Sequence, residues 1–136
     1  MKISATVKSK VDKYETFVQT NGIGKELVIP QKSSGPGSSV NGGELLLLSL
    51  ATCFCNDIYR EAAKRNISIT SVEVHVNGEF GAEGEIGRNF EYRTKILADA
   101  PAEEVDELIR YTDSVAEIQN TLRSGINITL VNENVS

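Results

Sequence analysis

Cys53 and Cys55 are the two thiols of this chain, and thiols are the groups here best suited to nucleophilic or redox chemistry. Both fall within the run Asn41-Gly-Gly-Glu-Leu-Leu-Leu-Leu-Ser-Leu-Ala-Thr-Cys-Phe-Cys-Asn-Asp57. Residues two apart on a helix are turned from each other by about 200°. In a helix the pair therefore points to nearly opposite sides and cannot readily form a disulfide. Cys53 would share its stripe with Leu46, Ser49, Leu50 and Asp57, and Cys55 with Leu48, Ala51, Thr52, Ile58 and Tyr59. A reactive thiol needs a cation or a helix N-terminus to lower its pKa. Both cysteines sit about three turns into the segment, so an activating cation must come from elsewhere in the chain. The alternative is that both are small buried hydrophobes. No metal site is expected: Cys53, Cys55 and Asp57, at i, i+2 and i+4, do not converge, and no Cys/His cluster completes a tetrahedral set. No cofactor is expected either. His75 alternates with Val74 and Val76 on a strand and is predicted to face solvent.

The element that must position the thiols is a helix from about residue 42 to near Arg65. Leu45 to Leu48, Leu50, Ala51, Phe54, Ile58, Tyr59, Ala62 and Ala63 make its first half apolar nearly all round, which implies burial on several sides. Asn41 and Glu44 have the spacing of a reciprocal N-terminal cap. Ahead of the helix, Ile3 to Val7, Tyr14 to Thr20 and Glu26 to Ile29 read as short strands, with a tight turn at Asn21-Gly22. Residues 31 to 43 read as a flexible loop; Gly35-Pro-Gly-Ser-Ser39 lacks the Gly-Lys-Ser/Thr ending of a phosphate cradle. Ile67 to Val76 predicts a strand bulged at Thr70-Ser71, joined through Gly78 to Gly87 to a return strand with Phe90, Tyr92, Thr94 and Ile96 alternating. Pro101-Ala-Glu-Glu opens a second helix that places Val105, Leu108, Ile109 and Thr112 on one face. Ser114 to Leu122 predicts a short third helix with Val115, Ile118 and Leu122 inward, and Ile126 to Val131 a closing strand. The order βββ-α-ββ-αα-β is an α+β fold.

A chain of 136 residues is expected to be a single domain, residues 1–136, small enough for a second copy to share its core. A net charge of −5 with scattered basic residues argues against nucleic acid or an anionic membrane as partner. The central apolar run is short of the about 20 residues a span requires. Met1-Lys-Ile-Ser-Ala5 has no apolar secretory region, so a cytoplasmic location and free thiols are expected.

Glu44-Leu-Leu-Leu-Leu-Ser-Leu-Ala-Thr-Cys53 resembles the E-L-L-L-A-A-L-(G/A)-(G/A)-C central-helix signature of the OsmC/Ohr superfamily, the osmotically inducible and organic-hydroperoxide-resistance proteins. The resemblance extends to Ser4-Ala-Thr-Val7, the Gly/Ser loop, Val72-Glu-Val-His-Val76 and Asn120-Thr-Leu122. It implies an intertwined homodimer with central helices at the subunit interface, and it puts the peroxide-attacking thiolate at Cys53. Three departures stand beside it. Ala116 occupies the place of the family's resolving cysteine, Gly42-Gly43 that of a Pro-Glu pair, and the region of Val11 that of an arginine. The usual intramolecular disulfide cycle is thereby excluded, and the chain resembles the OsmC-like branch that lacks these residues.

Two functions follow. The first is a weak thiol peroxidase: Cys53 attacks a hydroperoxide or other small electrophile, Lys10 and Lys13 are candidate stabilising cations, and Cys55 is an auxiliary thiol. A low-molecular-weight or protein thiol serves as reductant. The second is a non-catalytic dimer that binds an apolar small molecule in its interface pocket.

Overall fold

The structure is a computed structural model and describes residues 1–131. The described chain forms two compact units, one of Met1–Leu45 and one from Leu46 onward.

The first unit is an antiparallel meander of β1 (Ile3–Lys10), β2 (Lys13–Thr20) and β3 (Ile23–Glu26). Asn21 and Gly22, with φ of 49° and 80°, make the two-residue turn that the sequence predicts. That turn sets Ile23 opposite Thr20 and Glu26 opposite Phe17. The third strand therefore lies earlier than expected: pairing begins immediately at the turn and is used up before Leu27. Thr16, buried in β2, donates its hydroxyl to the Leu27 carbonyl. The loop that follows carries an isolated bridge between Gln31 and Ser38 and left-handed glycines at Gly35 and Gly37.

Helix α1 spans Gly42–Lys64. Its N-terminus is closed reciprocally: the Asn41 amide donates to Glu44 Oε1 at 3.0 Å, and the Glu44 amide donates to Asn41 Oδ1 at 2.8 Å. In the second unit follow the antiparallel hairpin β4 (Ile69–Glu79) and β5 (Arg88–Ala98), then α2 (Ala102–Val115) and α3 (Glu117–Ser124). A register shift between Ile69 and Ser71 supplies the predicted bulge. Period-2 burial turns Val72, Val74 and Val76 inward and leaves Glu73, His75 and Asn77 exposed. The core is Phe54, Ile58, Ala62, Ile67, Leu108 and Ala116, with Val72, Val74, Tyr92 and Ile96 against it. Phe54 meets Tyr92 edge-on, with centroids 4.9 Å apart.

The architecture is α+β, as expected, with four corrections. Pro101 sits at the N-cap of α2 and not inside its first turn. Helix α3 begins at Glu117 and not at Ser114, because α2 continues through Val115 and Ala116 is extended (φ −70°, ψ 110°) between them. This rotates the inward face, so Gln119 is buried whereas Leu122 is exposed. Residues 126–131 form no strand, and Ile128 is 91% exposed. Their alternation suits a strand, but a strand exists only through its ladder, and among the described residues nothing pairs with them.

Burial of the leucine run also differs from expectation. Leu45, Leu46 and Leu47 are half-buried, and Leu48 is 59% exposed.

Candidate functional site

Cys53 lies on α1 one turn before Asp57, and the thiol donates to Asp57 Oδ2 with a sulfur–oxygen distance of 3.4 Å. The i, i+4 spacing brings the two side chains onto one face. Asp57 is 6% exposed and therefore requires partners. Arg60 supplies one, its Nη1 lying 3.0 Å from Asp57 Oδ1. The same guanidinium donates through Nε to Glu61 Oε1 at 2.9 Å and through Nη1 to Glu117 Oε1 at 3.3 Å. Lys64 Nζ adds a 3.1 Å contact to Glu61 Oε1. One arginine thus ties two carboxylates of α1 to the first residue of α3, and Cys53 sits beside the group.

The electrostatics of the thiol are divided. Burial pushes the Cys53 pKa above the ordinary thiol value; the backbone N–H of Ile118 opposes this, and the carboxylates of Asp57 and Glu117 reinforce it. Burial likewise raises Asp57. Glu117 is held below the usual carboxylate range, first by its own backbone amide at the start of α3, with Arg60 contributing. The Ile118 amide thus favours a thiolate, against burial and two carboxylates that favour the protonated thiol.

The donor atoms of Cys53, Asp57 and Glu117 all lie within 4.8 Å of one another. Cys55 stays outside this set; Cys53 and Asp57 meet instead with Glu117 of α3, which the sequence alone did not join to them. For a metal ion this set is a poor fit, since the Arg60 guanidinium already occupies both carboxylates and would repel a cation.

Cys55 faces a different surface and, with Ala51, Thr52, Asn56 and Val74, lines an open cavity of about 270 Å³. Both thiols are free and half-buried. Lys10 and Lys13 face each other at the β1–β2 turn in the first unit, where Lys13 Nζ lies 2.6 Å from Glu15 Oε1. The cation in the Cys53 cluster is Arg60. Arg60 was not singled out from the sequence; its signal was the Cys53, Asp57, Arg60 spacing of four and three residues, one face of a helix. Glu117 and the Ile118 amide carried no local signal, because the break at Ala116 decides where α3 begins.

An α+β chain whose central helix carries a partly buried thiol beside the start of a later short helix defines a thiol-bearing class of protein. Residues 35–131 match the family model described as OsmC-like protein, and the chain belongs to that family. Among solved structures it is similar to an OsmC-like protein from Mycoplasma pneumoniae, at 20% identity over 96% of each chain with a TM-score of 0.63. It is similar also to an OsmC-like protein of unknown function from Vibrio cholerae, at 13% identity over 89% of this chain and 93% of that one, TM-score 0.64. A third is an OsmC-like hydroperoxide resistance protein from Jannaschia sp., at 16% identity over 97% and 95% of the two chains, TM-score 0.55. At these identities the likeness is one of fold. None of the curated proteins matches the chain. Among the described residues no helix is long and apolar enough to cross a membrane.

Proposed function

We propose that this chain is a thiol-dependent redox protein that reduces organic hydroperoxides, or reacts with other small electrophiles, through Cys53. The observation that carries the reading is the position of Cys53 Sγ, half-buried on α1 and donating to Asp57 within the Asp57–Arg60 pair. The thiolate attacks the terminal oxygen of the peroxide, the O–O bond breaks, and the departing alkoxide takes a proton to leave as the alcohol. Cysteine is oxidised to sulfenic acid. With Ala116 where a resolving thiol would stand, an external low-molecular-weight or protein thiol condenses with the sulfenic acid, releasing water. A second equivalent then returns the free thiol and leaves the external disulfide.

Burial, and behind it the Asp57 and Glu117 carboxylates, raise the pKa of the thiol, so turnover rises in alkali. Cys55 is an auxiliary thiol at most. Lys10 and Lys13 remain candidate cations for the same reaction. The whole chain is read as one OsmC-like domain in a cytoplasmic homodimer; the exposure of Leu48 and of the apolar segment 126–131, unpaired among the described residues, supports the dimer. The raised thiol pKa favours a second reading, a non-catalytic dimer that binds an apolar small molecule.

Oxidation of reduced protein by cumene hydroperoxide, followed at pH 7 and pH 9, separates the two. Cys53→Ser should abolish consumption, and Cys55→Ser should retain the first step. Consumption unchanged in Cys53→Ser, or absent at both pH values in the unaltered protein, would overturn the catalytic reading. Light scattering that finds a stable monomer at micromolar concentration would overturn the dimer.

A further inference from the structure

Gln119 is 3% exposed, and half of its amide is satisfied. Nε2 donates to the Leu50 carbonyl at 3.0 Å. Oε1 is buried without a hydrogen-bond donor among the described residues. The amide cannot simply be reversed, because two carbonyl oxygens would then face each other. A buried acceptor without a donor is costly, and its most direct remedy is a donor from outside the chain. Gln119 lines a cavity of about 120 Å³ together with Leu50, Val76, Phe90, Glu91, Tyr92, Leu122 and Arg123. An apolar cavity of about 150 Å³ holds benzene, so this one takes a compact molecule of about that size or a little smaller.

The walls restrict the chemistry. Their bulk is aliphatic and aromatic, which calls for a hydrocarbon body. Arg123 is one turn along α3 from Gln119, on the same face. Its guanidinium is held by Asp113, with Nη2 at 2.7 Å from Oδ1, and by Asn120, with Nη1 at 3.1 Å from Oδ1. A guanidinium has five N–H donors, and these contacts leave capacity on it. A carboxylate has no proton to give to Gln119 Oε1. An ammonium group would face Arg123, while the Glu91 carboxylate is exposed and lies 3.8 Å from Arg93 Nη2. A hydroxyl meets both demands, since it donates to Gln119 and accepts from Arg123.

We propose that this cavity is a binding site for a small neutral alcohol, with the hydroxyl at Gln119 and the hydrocarbon body against Val76, Phe90, Tyr92 and Leu122. The assignment requires no reactivity at Cys53 and stands if that thiol is inert.

The test is a titration of isotope-labelled protein, followed by the backbone amide shifts of Val76, Phe90, Tyr92, Gln119 and Leu122. Four probes are compared: 1-butanol, its isomer methyl propyl ether, butanoate and butylammonium. The two isomers match in composition and size, but only the alcohol can donate. The alcohol is expected to bind roughly fivefold to tenfold more tightly than the ether, the worth of one net hydrogen bond, and both ions more weakly than the alcohol. In Gln119→Leu the ratio of alcohol to ether should fall to about one. Should that variant fail to fold for want of its bond to Leu50, the ratio in the unaltered protein still decides. Equal affinities for alcohol and ether, tighter binding of butanoate, or no saturable shift at these residues would overturn the assignment.

Discussion

Replacing Asp57 by Asn should make Cys53 more reactive at neutral pH. The thiol donates to Asp57 Oδ2 at 3.4 Å, and the carboxylate charge opposes formation of a thiolate beside it. At that separation two unit charges repel by about 1.2 kcal/mol with water-like screening and several-fold more in a partly buried setting. Cys53 is half-buried and solvent screens it, so the lower figure is the safer one. It corresponds to a thiolate fraction roughly eightfold larger at pH 7. A less basic thiolate is also a poorer nucleophile, with a Brønsted slope of about 0.5, which leaves a net gain of roughly threefold. The Asn side chain can still accept from Arg60 through its oxygen, and Glu61 and Glu117 continue to hold that guanidinium. The assay is alkylation of Cys53 by iodoacetamide in a Cys55→Ser background, from pH 6.5 to pH 10. In the parent the rate should climb with pH beyond the point where an ordinary free thiol levels off, because the folded-state thiol releases its proton later. The variant should lead at pH 7 and lose its lead at the alkaline plateau, where both forms are fully ionised. A slower variant at pH 7 would refute the reasoning and make Asp57 the base that removes the thiol proton.

The core and the acid limit give two further expectations. Phe54 is fully buried against Tyr92, so Phe54→Ala should lose about 3–5 kcal/mol in chemical denaturation; a loss below about 1 kcal/mol would mean that the surrounding core is not packed as described. Glu61 is held below the usual carboxylate range by Arg60 and Lys64, Glu117 by its own backbone amide and Arg60, and Asp113 by Tyr92 and Arg123 against the opposing effect of burial. Groups with lowered folded-state pKa values stabilise the fold above their unfolded values, and this is lost as pH falls through the folded ones; Asp57, raised by burial, has the opposite sign. Three such groups against one predict a melting temperature that falls as pH drops from 5 to 3, and a melting temperature that rises over that interval would contradict these ion pairs.

Much of the fold was legible because its signals are local and periodic. The Asn41/Glu44 cap, the Asn21-Gly22 turn, the Thr70-Ser71 bulge and the alternation from Val72 to Val76 each depend on neighbours within a few residues. The misreadings share a different cause. Where α3 begins depends on the extended backbone at Ala116, and whether residues 126–131 pair depends on a partner strand; neither is encoded in the segment itself. Of the candidate site, Cys53 was singled out by the resemblance of the Glu44–Cys53 run, and its divergence from Cys55 could be read from helical spacing. Arg60 and Asp57 were visible as residues but not as partners, since their roles follow from burial. Glu117 enters only through tertiary packing, and the unsatisfied oxygen of Gln119 was hidden by a predicted helix register in which Leu122 faced inward.

The account rests on Cys53 being the thiol that is oxidised, and the most direct measurement is to trap its product. Reduced protein is treated with stoichiometric cumene hydroperoxide at pH 8.5 in the presence of dimedone, and its peptides are mapped by mass spectrometry without reduction. The account predicts a dimedone adduct on Cys53 and no Cys53–Cys55 cross-link, since the two side chains face different surfaces of α1. An adduct confined to Cys55, or an intrachain disulfide between the two in folded protein, would contradict it.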